Sequence, residues 1–405
     1  MAQVVLVSNG PGELYTWLRP VLEEFRRNAP QTRVSISLIP CQFAGGNEAT
    51  IASAFSPDHL TTPGEYLRAA AGGSAPSGLK VDGGGPGAVI GLGGSAGMAV
   101  ALGKRLGFPV FRYSFEPGWQ PGLEMLLLPD EQTRKRALQR GAPAASSRVV
   151  GNLVADVVEA SAAVDDPGDP HILLLAGSRD GFAVHLIPFM IALVDELNAA
   201  LPDARFVWPV SRLLKEETLR SGIAGEQAGT LHGSAGVRQG DVVLTPAGGR
   251  LELVSEESRY RHMRSADLAV TIPGTNTLEL GIAGVPGLVL LPMNRPEVIP
   301  LEGAGHWLGL VPLIGRYLKR YAVKLFVQGL KVPVSLPNKI SGLDLMYEVK
   351  GRVEPGAIAK LVLELLADAD GLARTRAGLL KTMPGPGAAA ELVRTVTEHA
   401  GLDRA

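Results

Sequence analysis

Two stretches in the C-terminal half of the chain combine residue types suited to chemistry. They are Thr271-Ile-Pro-Gly-Thr-Asn-Thr-Leu-Glu-Leu-Gly-Ile-Ala-Gly-Val-Pro-Gly287 and, further along, Ser335-Leu-Pro-Asn-Lys-Ile-Ser-Gly-Leu-Asp-Leu-Met-Tyr-Glu348. The first reads as a strand end, a Gly/Thr turn, a helix, a tight turn and the next strand. A helix that starts at Gly274, Thr275, Asn276 and Thr277 offers backbone N–H groups and hydroxyls at the positive end of its dipole, which suits a diphosphate. Glu279, one turn in, can accept hydrogen bonds from ribose hydroxyls. It can equally close a capping box with Asn276, because Asn-x-x-Glu satisfies helix-start donors reciprocally. The second stretch brings Asn338 and Glu348 to the same mouth. Asn338 can bond a diphosphate or cap a helix beginning near Ile340, and Glu348 can be a ligand or an exposed helical acid. Together the two stretches point to a nucleotide-sugar site.

Such groups need strands and helices to carry them, and the chain supplies these in alternation. Residues 4–7 form a β-branched run that ends in Ser8-Asn-Gly-Pro-Gly-Glu13. A helix over 14–28 and a strand over 34–39 follow. Strands at 88–91, 110–113, 125–128 and 148–150 surround a helix at 95–106. The alternation restarts with a strand at 171–176, a helix at 182–201 and strands at 206–209, 241–245, 268–271 and 288–291. Continuous apolar runs joined by helices predict parallel strands buried on both faces, and so a doubly wound α/β sheet. Helices over 355–368 and 388–399 are separated by Pro384-Gly-Pro-Gly387. Asp165-Asp-Pro-Gly-Asp-Pro170 is a linker of turn formers, and the Ala/Gly/Ser/Pro-rich residues 69–87 read as a mobile loop over the cleft. The expected layout is two Rossmann-like domains facing a cleft, 1–166 and 167–367, with the helices of 368–405 packing back on the first.

Composition sets the outer limits. A chain of 405 residues can bury two full cores. Its 46% hydrophobic and 20% charged residues are ordinary for a soluble globular protein. The formal net charge of −1 leaves no global basic field for nucleic acid. A single cysteine, Cys41, excludes an internal disulfide and a multi-cysteine metal site. No uninterrupted apolar run reaches the roughly 18–20 residues that span a bilayer. The start, Met-Ala-Gln-Val-Val-Leu-Val-Ser, reads as a first strand rather than a signal peptide, so a cytoplasmic location is expected. Asp368-Ala-Asp370 has the D-x-D spacing of metal-dependent transferases, but it falls between two helices and away from every strand end. The remaining carboxylates show no metal-ligand grouping, and no metal or cofactor is expected.

Six segments resemble, in order, the lipid-A-disaccharide synthase family. They are Ser8-Asn-Gly-Pro-Gly-Glu-Leu14, Lys104-Arg-Leu-Gly-Phe-Pro-Val110, Val150-Gly-Asn-Leu-Val-Ala-Asp156, Leu173-Leu-Leu-Ala-Gly-Ser-Arg179, Thr271–Gly287 and Lys331-Val-Pro-Val-Ser-Leu-Pro-Asn338 with Gly342 and Glu348. The resemblance covers about residues 1–366. Two segments depart from it. Gly91-Leu-Gly-Gly-Ser-Ala-Gly97 has no carboxylate where the family has a catalytic Asp, and Asn152 stands where the family has His.

The resemblance implies a GT-B architecture and inverting transfer of a sugar, N-acetylglucosamine-like, from a UDP-sugar donor to a lipid or lipid-linked acceptor, without a metal. Such transfer needs donors for the leaving diphosphate and a base for the acceptor hydroxyl. Ser178 and Arg179 follow a strand and open a helix, where a guanidinium grips phosphate oxygens in a forked geometry; an arginine at a surface turn is the plainer alternative. Gly10 and Gly12 form the loop expected near the acceptor. Glu13 in that loop and Glu116 in Tyr113-Ser-Phe-Glu-Pro-Gly-Trp119 are the candidate bases, ahead of His306. Two other readings stay open: a UDP-sugar 2-epimerase or hydrolase of the same fold, and a catalytically silent nucleotide-sugar-binding protein. From 303 to 343 the chain has no acid, while Arg316, Lys319, Arg320 and Lys324 interleave with Trp307 and other apolar residues. That stretch suits anionic headgroups at the inner face of the cell membrane, or a core or homodimer contact.

Overall fold

The structure is a computed structural model that describes residues 1–40, 48–79, 84–116, 118–165, 169–294 and 333–404. The chain divides into two compact units, Met1–Ala160 with Pro384–Ala405, and Ser161–Met383.

The first unit is built on β1 (Gln3–Ser8), β2 (Arg33–Leu38), β3 (His59–Thr61), β4 (Gly87–Leu92), β5 (Val110–Tyr113), β6 (Met125–Leu128) and β7 (Ser147–Val149). They pair in parallel in the order β3-β2-β1-β4-β5-β6-β7. Every residue of β1 and β4 is buried, as the unbroken apolar runs require of strands covered on both faces. The helix expected over 14–28 begins earlier, at Pro11–Glu13, and continues as Arg19–Asn28 after one π turn at Leu14–Leu18. Such a turn inserts an extra residue into the helix and is frequent beside functional sites.

The stretch expected as a mobile loop over 69–87 is in part a packed element. Helix Pro63–Ala71 runs into it, started by a Thr62–Glu65 capping box and a proline in its first turn. Tyr66 donates to Met98 O at 2.9 Å, and Ala75 and Leu79 are buried. Composition over 69–87 misses this because the helix-start signals lie upstream of the window.

Helix Ala388–Ala400 returns to the first unit. Its Leu392, Val393 and Val396 join that core, and Asp156 accepts from Gly387 N–H at 2.5 Å and Ala389 N–H at 2.9 Å. Helix Ala369–Thr382 belongs to the second unit. The 368–405 segment is therefore split at Pro384 between the two units, and the first of them ends at Ala160, before the Asp165–Pro170 turn formers.

The second unit carries β8 (His171–Leu174), β9 (Arg205–Pro209), β10 (Val237–Gln239), β11 (Val242–Leu244), β12 (Arg250–Val254), β13 (Leu268–Thr271), β14 (Gly287–Pro292) and β15 (Tyr347–Gly351). The order is β10-β11-β12-β9-β8-β13-β14-β15, antiparallel only at the β10–β11–β12 edge. Helix Asp180–Ala200 is long and apolar enough to cross a membrane by composition, yet two-thirds of that window is buried in the unit's own core.

Candidate functional site

In an open parallel sheet, ligands bind outside the carboxyl ends of the strands where the strand order reverses. Each unit has one such point.

In the second unit the order reverses between β8 and β13. The loops after these strands touch. Leu175 N–H donates to Val270 O at 2.9 Å. Gly177 has φ +81, and a Cβ there would stand 2.9 Å from Ile272 Cδ1, so the turn needs glycine. Ser178 and Arg179 are exposed beyond it, with Arg179 at the N-cap of helix Asp180–Ala200. Across from them, Gly274 caps helix Thr275–Ile282 with φ +149 and no side-chain cap bond. Gly274 and Thr275 are exposed and Asn276 is half-buried. A diphosphate could meet bare helix-start N–H groups here.

The remaining expected donor ligands face inward. Thr277 is fully buried; its hydroxyl donates to Gly274 O at 2.8 Å and accepts from Leu336 N–H at 3.0 Å. Both hydrogen-bonding directions of the hydroxyl are spent holding the turn, which corrects its expected role as a free donor. Asn338 is buried within helix Leu336–Ser341 rather than capping a helix at Ile340. Its amide donates to Met346 O (2.9 Å) and Glu348 (3.1 Å) and accepts from Leu345 and Met346 N–H (2.8 and 2.7 Å). It fixes the loop before β15 and has no group left for a diphosphate.

Glu348 accepts from Val334 N–H, Ser335 N–H, the Ser335 hydroxyl and Lys350. Burial alone would raise its pKa. Those hydrogen bonds outweigh burial and hold the carboxyl below its usual range. Glu348 lies in β15, not in a helix, and acts as the anchor of the segment leading into helix Leu336–Ser341.

Glu279 is 3% exposed. Arg259 Nη2 donates to one carboxylate oxygen and Tyr260 Oη to the other at 3.1 Å. The same guanidinium donates to Asn276 Oδ1 (3.1 Å) and Glu256 (3.2 Å). No Asn276–Glu279 capping box forms, because the N-cap is Gly274 and Asn276 is held by Arg259. Sequence reasoning missed Arg259 and Tyr260. The available signal was a carboxylate in a helix otherwise apolar on its inner face, which demands a cation.

In the first unit the order reverses between β1 and β4. Ser8 Oγ donates to Leu92 O at 2.9 Å and joins the two loop starts. Gly10 caps the first helix turn and Gly12 is exposed. Glu13 folds back so that a Cβ on Gly10 would overlap its carboxylate. Its side chain also crosses the Gly93-Gly94 turn after β4, with Glu13 Cγ 3.2 Å from where a Gly93 Cβ would lie. Glu13 thus lies beside the 91–97 loop, which has no carboxylate of its own. Glu116 sits in the exposed turn after β5, its N–H donating to Ser114 Oγ at 3.0 Å.

The family-like segment 150–156 is structural. Asn152 caps helix Leu153–Glu159 by accepting from Val154 N–H, and Asp156 holds the C-terminal helix. Asp368 caps helix Ala369–Thr382. Among the described residues no group of three His, Cys, Asp or Glu could hold a metal ion. A groove lined by Asp195, Glu196, His232 and Glu354 lies by the C-terminal half of helix Asp180–Ala200, remote from the Arg179 turn. Trp307, Arg316, Lys319, Arg320, Lys324 and His306 lie outside the described residues.

No family model matches the chain. The lipid-A-disaccharide synthase of Geobacter sulfurreducens is 27% identical over 126 residues, 31% of this chain and 27% of that one. The enzyme of the same name from Syntrophus aciditrophicus is 25% identical over 288 residues, 66% of this chain and 62% of that one. The chain is a distant relative of the lipid-A-disaccharide synthases. It spans less than two-thirds of the length of these synthases. The solved UDP-GlcNAc 2-epimerase of Neisseria meningitidis, bound to UDP-GlcNAc, superposes with a TM-score of 0.55 at 13% identity, over 98% of this chain and 100% of that one. The fold shared by this solved neighbour and this structure is GT-B, two Rossmann-like units.

Proposed function

We propose that the protein is an inverting glycosyltransferase that moves an N-acetylglucosamine-like sugar from a UDP-sugar to a lipid or lipid-linked acceptor. The observation that carries the reading is the uncapped turn Gly274-Thr275-Asn276, exposed at Gly274 and Thr275, at the β8–β13 reversal, opposite Arg179. The distant synthase relatives and a UDP-GlcNAc complex in the same fold support the donor class.

In this reading the turn and Arg179 bind the diphosphate. As the bond from the anomeric carbon to the diphosphate breaks, negative charge grows on the leaving group, and the N–H groups and guanidinium meet it without reorganising. The acceptor oxygen forms its bond to the same carbon from the opposite face while its proton passes to a carboxylate. Glu13 is assigned that proton ahead of the exposed Glu116. No metal or cofactor is required. Glu279, Asn338 and Glu348 shape the donor turn from behind. The protein acts in the cytoplasm, as a homodimer, and meets the membrane through the basic and apolar stretch that includes Trp307 and Arg316 to Lys324.

Two observations favour a second reading, a UDP-sugar 2-epimerase or hydrolase: the 91–97 loop carries no acid, and an epimerase superposes over nearly the whole chain. UDP release from a panel of UDP-sugars, with and without a lipid extract, separates the two. Release that depends on lipid supports the transferase. Lipid-independent turnover overturns it in favour of the second reading.

A further inference from the structure

Helix Arg259–Ser265 makes polar contacts of different kinds at its two ends. Its first residues hold the Gly274 turn: Arg259 donates to Glu279 and Asn276, and Tyr260 Oη donates to Glu279 at 3.1 Å. Its last turn lies against the amino end of the sheet, away from that turn. There His262 packs edge-on against His171, the first residue of β8, with ring centroids 5.4 Å apart. His171 is fully buried and His262 is 6% exposed. Among the described residues, Nδ1 and Nε2 of His171 and Nδ1 of His262 have no hydrogen-bond partner. Buried polar atoms in that condition are rare, and a charged ring there is more unfavourable than a neutral one.

The surrounding elements give a protonated ring no relief. Arg205 on β9 is the register partner of His171. Its guanidinium forks onto Glu252 of β12, so that carboxylate is already engaged. Asp267, just ahead of β13, accepts from the His171 N–H at 2.9 Å. Arg261 adds positive charge from the helix itself, and Arg376 of helix Ala369–Thr382 donates to Ala266 O at 2.8 Å. Burial above all lowers both imidazoles. His262 and then Arg205 add to it at His171, which falls to about 4; Arg205 adds to it at His262, where Glu252 opposes in part.

Lifting the helix would hydrate both rings, so a proton binds the lifted state more tightly than the packed one. The packed state is fully favoured above about pH 6.5 and loses ground as pH falls toward about 4. Opening a helix of seven residues costs less than unfolding the sheet beneath it.

We propose that the His171–His262 pair is a proton-sensitive latch on the Gly274 turn: protonation frees helix Arg259–Ser265, and with it the hold of Arg259 and Tyr260, so that the turn loosens in acid. That the turn takes a UDP-sugar rests on the reading above; the latch itself rests on the geometry of the second unit.

The test is hydrogen exchange of the full chain at about pH 7 and about pH 5, corrected for intrinsic rates. His262→Phe, which keeps the edge-on ring packing, and His262→Phe with His171→Leu are compared with the parent, and thermal unfolding checks that each is folded. In the parent, protection over 259–265 and 274–279 falls together by about tenfold or more in acid, while β8 keeps its own. In His262→Phe the fall is smaller, and in the double variant it is absent. An equal fall in the parent and the double variant overturns the latch. So does a fall confined to 259–265, or one spread evenly over β8. Saturating UDP-N-acetylglucosamine, whose diphosphate is esterified at both ends and does not titrate in this range, restores protection to both stretches at about pH 5. Binding that leaves 259–265 unprotected overturns the coupling to the turn. No binding at about pH 7 removes the donor reading, and the ligand-free comparison still decides the latch.

Discussion

Arg259 donates to the buried carboxylate of Glu279 and, with the same guanidinium, to Asn276, so one side chain braces the first turn of helix Thr275–Ile282 from beneath. Removing the cation leaves a carboxylate without its partner in a dry site, at a cost of about 3–5 kcal/mol, whereas removing both members costs much less. Arg259→Met is therefore expected to be markedly destabilised in urea and Arg259→Met with Glu279→Leu to recover most of the loss. Additive losses in that double-mutant cycle would disprove the brace.

The Thr277 hydroxyl bridges Gly274 O and Leu336 N–H. Thr277→Val keeps the shape and leaves a buried N–H without its acceptor, so a loss of about 1–3 kcal/mol is expected. UDP affinity should fall with it, since Gly274 loses its tie. Thr277→Ser should preserve both. A Val variant with parental stability and UDP binding would show that the bridge is dispensable.

Asp156 holds the start of helix Ala388–Ala400 through Gly387 and Ala389 N–H. Asp156→Ala removes an N-terminal anchor, and about 1–2 kcal/mol should be lost. Hydrogen exchange should rise over 388–400 before it rises in β1 or β4. Uniform acceleration across the first unit would instead indicate that the helix is not a separately released element.

His171 is fully buried and, among the described residues, neither ring nitrogen has a hydrogen-bond partner; the His262 ring lies 5.4 Å away. Burial, with His262 and Arg205 acting in the same sense, depresses its pKa to about 4 from 6.5. Below pH 6.5 the unfolded chain binds a proton that the folded protein refuses. Stability from this group is complete above pH 6.5 and is lost as pH falls toward about 4, on the order of 3 kcal/mol in full. Urea midpoints over that range should drop less steeply in His171→Leu than in the parent; identical slopes would remove His171 as the cause.

Under the transferase reading, Glu13→Gln should lower kcat by about 10²–10⁴-fold with little change in donor KM, while Glu116→Gln should leave kcat near the parent's. Initial rates with donor and acceptor varied check this. A large effect at Glu116 alone would move the base assignment there.

The strands at 4–7, 88–91, 110–113 and 268–271 were legible because an apolar run buried on both faces is a local property of the sequence. So was the restart at 171, and so was the turn at Gly274, since glycine and uncapped helix-start residues announce themselves within a few positions. The short edge strands β3, β10 and β15 were not, because they are half-exposed or wholly exposed and have no such run.

Sequence alone determined two doubly wound halves and the glycine turns that follow their strands, because burial and backbone geometry are written in short-range pattern. Only the tertiary structure decided which polar groups point outward. Thr277, Glu279, Asn338 and Glu348 have the right types for a nucleotide, yet Leu336, Arg259, Met346 and Ser335 occupy them. Arg112 lies about a hundred residues from Asn9 and Glu13, and all three reach the Gly93-Gly94 turn only because β1, β4 and β5 are neighbours. A buried hydrogen-bonding group takes whichever partner the packing brings within about 3 Å, and that partner is fixed by the topology of the sheet rather than by nearby residues.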